Sequence, residues 1–401
     1  DRRIDADDAA VHVDERSAGI TRIDGRVGLD EEAIVGDADM GARERRNDAL
    51  RHGLADAEGI ADGEHEIAHL NAVGIAELQR GKRLAPGVDP SVPEQRAAEI
   101  DLVHWTDATA PTTPADIVIE TFACEIPPAY VEAMAQRSPR PRWINLEYLS
   151  AEAWVDDCHG LASKHPRLPL TKHFFFPGFS ARTGGVLIEP GLLAAQAQFR
   201  AAPESKRTFL TGLGADPDAG FTALVFCYPT PALEALSEAW RDDAMAIQCL
   251  LPRGMAGSAL PAGGNLSVRH FDFVPQARFD ALLWCCDFAV VRGEDSFVRA
   301  QLAGLVFVWH IYPQQDAAHL VKLRAFMERY VEGLAPAAAQ AWMDLNLAWN
   351  EARHAELAAA WRTVRAHWAA LQQHALVWQA RLVEHGDLTC HLQRMLADRL
   401  E

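Results

Sequence analysis

A block of residues with phosphate-binding character lies where an apolar run ends, and it reads Val290-Val291-Arg292-Gly293-Glu294-Asp295-Ser296. A glycine, two carboxylates and a serine in this order are typical of a turn that leads from a strand into a helix. We predict that Ser296 caps this helix, because a serine hydroxyl can accept a hydrogen bond from a backbone N–H of the first turn. The other N–H groups and the positive end of the helix dipole can then hold a pyrophosphate without a metal ion.

The charged side chains of this block suit a nucleotide sugar. Glu294 and Asp295 can accept hydrogen bonds from sugar hydroxyls, and Arg292 at the strand end can offset the charge of a departing diphosphate. The same kind of turn also occurs in α/β proteins that bind no ligand there, and Arg292 can equally form a structural ion pair. The block by itself therefore indicates a nucleotide-sugar site but leaves a purely structural turn open.

Further blocks lie on both sides of this turn. Upstream are Phe273-Val274-Pro275-Gln276 and Phe279, with residues 143–152, 159–160, 172–179 and 183–185 farther back. Downstream is Phe307-Val308-Trp309-His310-Ile311-Tyr312-Pro313-Gln314. In this order the blocks resemble the elongation factor P (EF-P) arginine rhamnosyltransferases, the EarP family, which are bacterial inverting glycosyltransferases of the GT-B fold. The resemblance runs from about residue 101 to near the C-terminus, whereas residues 1–95 do not match.

The resemblance implies both the architecture and the reaction. It implies an α/β protein of two Rossmann-like lobes that face a cleft, and transfer of rhamnose from dTDP-β-L-rhamnose to one arginine of EF-P without a metal ion or another cofactor. The positions that it assigns to the donor are Gln276, Arg292, Gly293, Glu294, Asp295 and Ser296. The aromatic residues that it assigns to the thymine are Phe226, Tyr228 and Phe279. Stacking suits a base, although a phenylalanine between a strand and a helix more often belongs to a core.

The acceptor chemistry requires a carboxylate that takes a proton from the arginine, because a guanidinium with a pKa above about 12 is a poor nucleophile. Glu294 is the catalytic candidate. The family's main base belongs to an Asn-x-Gly-Asp-like loop that we do not find in this sequence, and the acidic cluster Asp5, Asp7 and Asp8 has no glycine turn around it. Glu147 and Glu152 lie in the acceptor-side lobe, where helix-start or surface roles explain them equally well.

Length and charge limit the function further. A chain of 401 residues is long enough for two lobes, and a net charge of -18 disfavours nucleic acid and anionic membranes as partners. Because we find neither a signal peptide nor an apolar run of about 18 residues, we expect a cytoplasmic protein. The seven cysteines show no C-x-x-C pairs, which favours free buried thiols over a zinc or disulfide framework.

Composition divides the chain into segments. Residues 1–80 contain no Phe, Trp, Tyr, Cys, Pro or Lys, and they carry 20 acidic and 10 Arg side chains. We expect segment 1–95 to be disordered or the product of a wrong reading frame. We assign 96–200 to the acceptor-side lobe, 201–378 to the donor lobe, and 379–401 to a terminal helix that packs back on the first lobe. Two other functions stay open, namely a nucleotide-sugar-binding remnant that transfers nothing, and another GT-B glycosyltransferase or an epimerase.

Overall fold

The computed structural model describes residues 94–97, 100–103, 113–122, 126–254, 260–314 and 317–397. The strands of these parts are β1 Glu94–Ala97, β2 Ile100–Val103, β3 Ile117–Thr121, β4 Arg142–Leu146, β5 Ala162–Lys164, β6 Thr171–Phe175, β7 Phe221–Val225, β8 Ile247–Pro252, β9 Leu266–Phe271, β10 Phe288–Arg292 and β11 Val306–His310. The helices are α1 Pro128–Gln136, α2 Val155–Cys158, α3 Leu192–Ala201, α4 Pro203–Gly212, α5 Ala232–Arg241, α6 Gln276–Trp284, α7 Asp295–Leu302, α8 Ala318–Tyr330, α9 Pro336–Asn350, α10 His354–Ala366, α11 Trp368–His385 and α12 Leu388–Ala397. The expectations for residues 1–93, including the acidic cluster, lie outside the described residues.

The first compact unit comprises the described residues up to Val186, together with Gln314–Lys322 and the segment that starts at Asp387. Its four-stranded sheet has the order β3-β4-β6-β5, in which β3, β4 and β6 are parallel and β5 is antiparallel to β6. The helix α12 packs on this sheet through an apolar cluster whose buried members are Ile144, Leu146, Phe175, Leu388, Leu392 and Leu396. The C-terminal helix thereby covers apolar surface of the sheet that would otherwise meet water.

The second unit comprises Leu187–Pro313 and Leu323–Gly386. Its five-stranded sheet is entirely parallel, with the order β11-β10-β7-β8-β9. The residues Phe288 to Val291 of β10 are fully buried, as expected for a parallel strand with helices on both faces. Trp240, Trp342 and Trp361 are also fully buried, so their rings pack in the core of this unit.

The strand order of the second unit creates a topological switch point. The chain proceeds outward from β7 through β8 to β9, then returns to β10 on the other side of β7 and continues to β11. The connections after β7 and β10 therefore diverge and leave a crevice at the carboxyl ends of these two neighbouring strands. Open parallel sheets bind their ligands at this position.

Within the described residues, no helix combines the length and the apolar character of a membrane-spanning helix.

Candidate active site

The predicted aromatic and cationic residues converge at the switch point. Phe226 and Tyr228 follow β7, whereas Arg292 is the last residue of β10. The backbone N–H of Phe226 donates to the carbonyl oxygen of Val290 at 2.8 Å, which continues the pairing of the two strands past the end of β7. Residues that are far apart in the sequence thus lie side by side where an α/β sheet binds its ligand.

Arg292 packs against two aromatic faces. Its guanidinium carbon lies 4.7 Å from the ring centre of Phe226 and 5.0 Å from that of Tyr228, within the range of a cation–π interaction. The Tyr228 ring in turn contacts His310 and Tyr312 edge-on, at centroid distances of 5.2 and 5.4 Å. These contacts fix the direction of the guanidinium, while Arg292 itself is only half-buried and can meet a ligand.

The turn after β10 differs in one respect from the sequence prediction. The helix α7 begins at Asp295 with Glu294 at the N-cap position, so Ser296 lies inside the first turn and is not the cap. The Ser296 hydroxyl donates to the carbonyl oxygen of Arg292, in the preceding turn, because a serine within a helix can bond back to the residue four positions earlier. This N-terminus carries no side-chain cap hydrogen bond, a geometry that suits an incoming anion.

Residues of this turn differ in how accessible they are. Gly293 adopts a left-handed conformation with φ of 64° and is half-buried, as is Glu294. Asp295 and Ser296 are buried instead, and the Asp295 carboxylate receives Nε of Arg299 on both oxygens at 2.9 and 3.0 Å. Glu294 and Gly293 can therefore reach a ligand directly, whereas the Asp295 carboxylate is already engaged by a guanidinium.

Gln276 and Phe279 both belong to α6, and they also differ in how accessible they are to a ligand. Gln276 is the first residue of α6, and its Nε2 atom is buried without a hydrogen-bond partner in the described structure. A buried amide donor of this kind costs free energy unless a water or a ligand satisfies it. Phe279 has no exposed surface, and its ring contacts Phe226 at a centroid distance of 5.8 Å. In this conformation Phe279 packs against Phe226 and offers no open face for stacking.

Two residues that hold the turn were not identified as functional from the sequence. The indole Nε1 of Trp309 donates to the carbonyl oxygen of Gly293 at 2.9 Å, and the Trp309 ring stacks on Phe297 at 3.8 Å. Asn346 accepts the backbone N–H of Trp309 at 3.0 Å and is fully buried in an otherwise apolar helix face. The available signal was an asparagine between Trp342 and Trp349 in an apolar helix, because a polar group that is buried there needs a specific partner.

A second polar cluster lies at the carboxyl end of the sheet in the first unit. Glu147 is 1 % exposed, and its Oε1 accepts from Nδ2 of Asn145 at 2.6 Å. Burial raises the pKa of the Glu147 carboxyl to about 7, with the Asn145 hydrogen bond opposing the shift and the Glu120 charge adding to it. Glu120 pairs with Lys172 at 2.5 Å, and burial also raises the pKa of its carboxyl. Glu147 is thus neither a surface residue nor a helix start.

The other acceptor-side candidate has a local role. The Ser150 hydroxyl donates to Oε2 of Glu152 at 3.1 Å, and the backbone N–H of Glu152 donates back to the same hydroxyl at 3.1 Å.

Of the histidines, His319 accepts the backbone N–H of Gln314 through Nδ1 at 3.0 Å, in agreement with a structural hydrogen bond. In the described part of the chain no group of three or more His, Cys, Asp or Glu side chains is arranged to hold a metal ion.

Comparison with known proteins identifies the family. The family model described as "Elongation-Factor P (EF-P) rhamnosyltransferase EarP" matches residues 66–397. This chain belongs to the EarP family. The match confirms the resemblance that the sequence blocks indicated. It begins at residue 66, so the expectation that residues 1–95 do not match was wrong for residues 66–95. Together with the two α/β units, whose sheets are mostly parallel, it also confirms the predicted GT-B fold class.

Individual relatives support the same assignment. A protein-arginine rhamnosyltransferase of Pseudomonas putida is 44 % identical over 333 aligned positions, and the alignment covers 79 % of this chain and 88 % of the relative. The corresponding protein of Pseudomonas aeruginosa is 38 % identical over 341 residues, covering 81 % and 90 %. A solved structure, described as the structural basis for EarP-mediated arginine glycosylation of EF-P, is 38 % identical with a TM-score of 0.51, and the match covers 57 % of this chain and 76 % of that one.

Proposed function

We propose that this protein transfers rhamnose from dTDP-β-L-rhamnose to an arginine of EF-P, with inversion at the sugar carbon, and that it does so in the cytoplasm. The family assignment carries the reaction and the protein acceptor. The arrangement of Arg292, Phe226 and Tyr228 at the switch point supports a nucleotide-sugar donor site in the second unit.

In our proposal the donor diphosphate lies at the N-terminus of α7. The first-turn N–H groups and the guanidinium of Arg292 would receive its charge, and the open backbone of Gly293 would allow a close approach. The half-buried Tyr228 would contact the thymine, the buried Phe226 would support Arg292 behind it, and the unsatisfied amide of Gln276 would be a hydrogen-bond donor. This arrangement needs no divalent ion, because the helix terminus and Arg292 supply the positive charge.

Three donor assignments are indirect in this proposal. Asp295 and Ser296 are buried and hold the turn together, so their effect on the donor would pass through the shape of the helix N-terminus. Phe279 would act in the same manner, by keeping Phe226 in place. A conformational change on donor binding would be required for any of the three to touch the nucleotide sugar.

Glu294 is our proposed catalytic carboxylate. A guanidinium nitrogen of the acceptor attacks C1 of the rhamnose, the bond between C1 and the diphosphate oxygen breaks, and dTDP leaves. The attacking nitrogen loses a proton as the new bond forms, and a carboxylate next to the diphosphate site can accept it. The half-buried position of Glu294 at the N-cap of α7 fits this role, since the side chain adjoins the donor site and is not sequestered in the core.

Mass spectrometry of EF-P tests the proposal. Incubation of the acceptor with this protein and dTDP-rhamnose should add the mass of one deoxyhexose residue to one arginine, and omission of the donor should abolish the addition. The matched variants are Arg292→Lys and Glu294→Gln. Donor binding without any adduct would favour a nucleotide-sugar-binding remnant, whereas adducts formed equally well by both variants would contradict the assigned site.

A further inference from the structure

A buried guanidinium joins three acidic side chains beneath the proposed donor site. Arg299 has 4 % of its side chain exposed, and its Nε contacts both oxygens of Asp295. Its Nη1 donates to Asp280 at 2.7 Å, and its Nη2 donates to Glu189. One planar cation thus satisfies carboxylates from three different segments, a geometry that lysine cannot reproduce because its ammonium is a single point charge.

The carboxylates of this cluster come from two helices and from the segment before a third. Asp295 is the first residue of α7, whereas Asp280 belongs to α6, the helix that starts with Gln276. Both helix N-termini contribute to the proposed donor site. Glu189 lies in the segment that precedes α3 of the same unit. Asp280 is the fifth residue of α6 and Arg299 the fifth of α7, so Arg299 links the two helices about one turn after the N-termini that would receive the donor.

The charges of the cluster support the same role. Burial raises the pKa of the Asp280 carboxyl, Arg299 opposes this shift, and Glu189 adds to it. Three carboxylates close to a helix N-terminus would repel a diphosphate, and the guanidinium of Arg299 offsets part of their charge. Loss of that guanidinium would place uncompensated negative charge next to the proposed phosphate position.

We propose that Arg299 is a positioning residue for the nucleotide-sugar donor. It would act through Asp295 and Asp280, by holding the N-termini of α7 and α6 in register and by neutralising the carboxylates behind them. This inference rests on the proposed donor site, because it assigns Arg299 an effect on donor affinity and no contact with the donor.

Calorimetry with dTDP-rhamnose and steady-state kinetics on EF-P test this inference. Arg299→Met keeps an apolar stem and removes the charge, and we expect donor Kd and KM to rise on the order of 10- to 100-fold, with a smaller fall of kcat at saturating donor. Arg365→Met is the matched control. Arg365 lies on α10 of the same unit, and it pairs with Asp243 at 3.5 Å. The control should lower the melting temperature and leave donor Kd unchanged.

The outcomes separate this inference from the proposed function. A wild-type protein that does not bind dTDP-rhamnose would refute the donor site itself. Wild-type binding together with an unchanged donor Kd in Arg299→Met would refute only the role of Arg299. If the methionine variant does not fold, Arg299→Lys decides the question. A raised donor Kd in a folded lysine variant supports positioning, whereas wild-type affinity overturns it.

Discussion

The buried carboxyl of Glu147 makes a quantitative prediction for the substitution Glu147→Gln. Burial raises the pKa of this carboxyl from 4.5 to about 7 in the folded protein. A raised pKa means that the folded state prefers the protonated form. The stabilising contribution is fully present below pH 4.5 and is lost as the pH rises through about 7.

The size of the effect follows from the difference between the two pKa values. Each pH unit between 4.5 and about 7 lowers the free energy of unfolding by about 1.4 kcal/mol, which gives about 3 kcal/mol across the whole window. A glutamine has nearly the same shape and cannot ionise. The stability of Glu147→Gln relative to the wild type should therefore rise by about 1 kcal/mol between a pH near 6 and a pH near 8.

Hydrogen exchange of the β4 amides measures this difference, because it reports the opening of the unit that contains Glu147. Wild type and variant are compared at each pH, so the pH dependence of intrinsic exchange cancels. The comparison between two pH values also removes any constant cost of the glutamine amide. A stability difference that is equal at both pH values would refute the argument that burial holds Glu147 protonated.

Three further predictions concern the second unit. Calorimetric donor affinity should be the same with and without EDTA, because Arg292 and a helix N-terminus take the place of a cation, and a loss of binding on chelation would contradict that account. Glu294→Gln should lower kcat about 100- to 10,000-fold, as for loss of a general base. The melting temperature should change little, since a first-turn carboxylate contributes only about 0.3 to 1 kcal/mol to its helix. A large fall in melting temperature would make Glu294 structural. Phe279→Ala should reduce the free energy of urea unfolding by about 3 to 5 kcal/mol because the ring is fully buried. Weaker donor binding at unchanged stability would instead show that Phe279 stacks on the base.

Local signals in the sequence define the elements around the site. The apolar run of β10 followed by Gly293 and two carboxylates is a local signal, because strand burial and turn formation depend on neighbouring residues. The apolar run in β4 is a local signal of the same kind. The order of the blocks was sufficient to indicate the family, which the match over residues 66–397 confirms.

Long-range packing establishes which of these residues can act together. The pairing of β7 with β10 brings Phe226 and Tyr228 to Arg292, and no local pattern specifies that pairing. The spacing of Asp295 and Arg299 was visible as an i, i+4 pair, but Asp280 and Glu189 join it only through helix packing. The pKa of Glu147 likewise depends on the strands and side chains that surround it. Long-range packing sets burial and hydrogen-bond partners, and these two quantities determine whether a polar side chain meets a ligand, supports a neighbour or retains a proton.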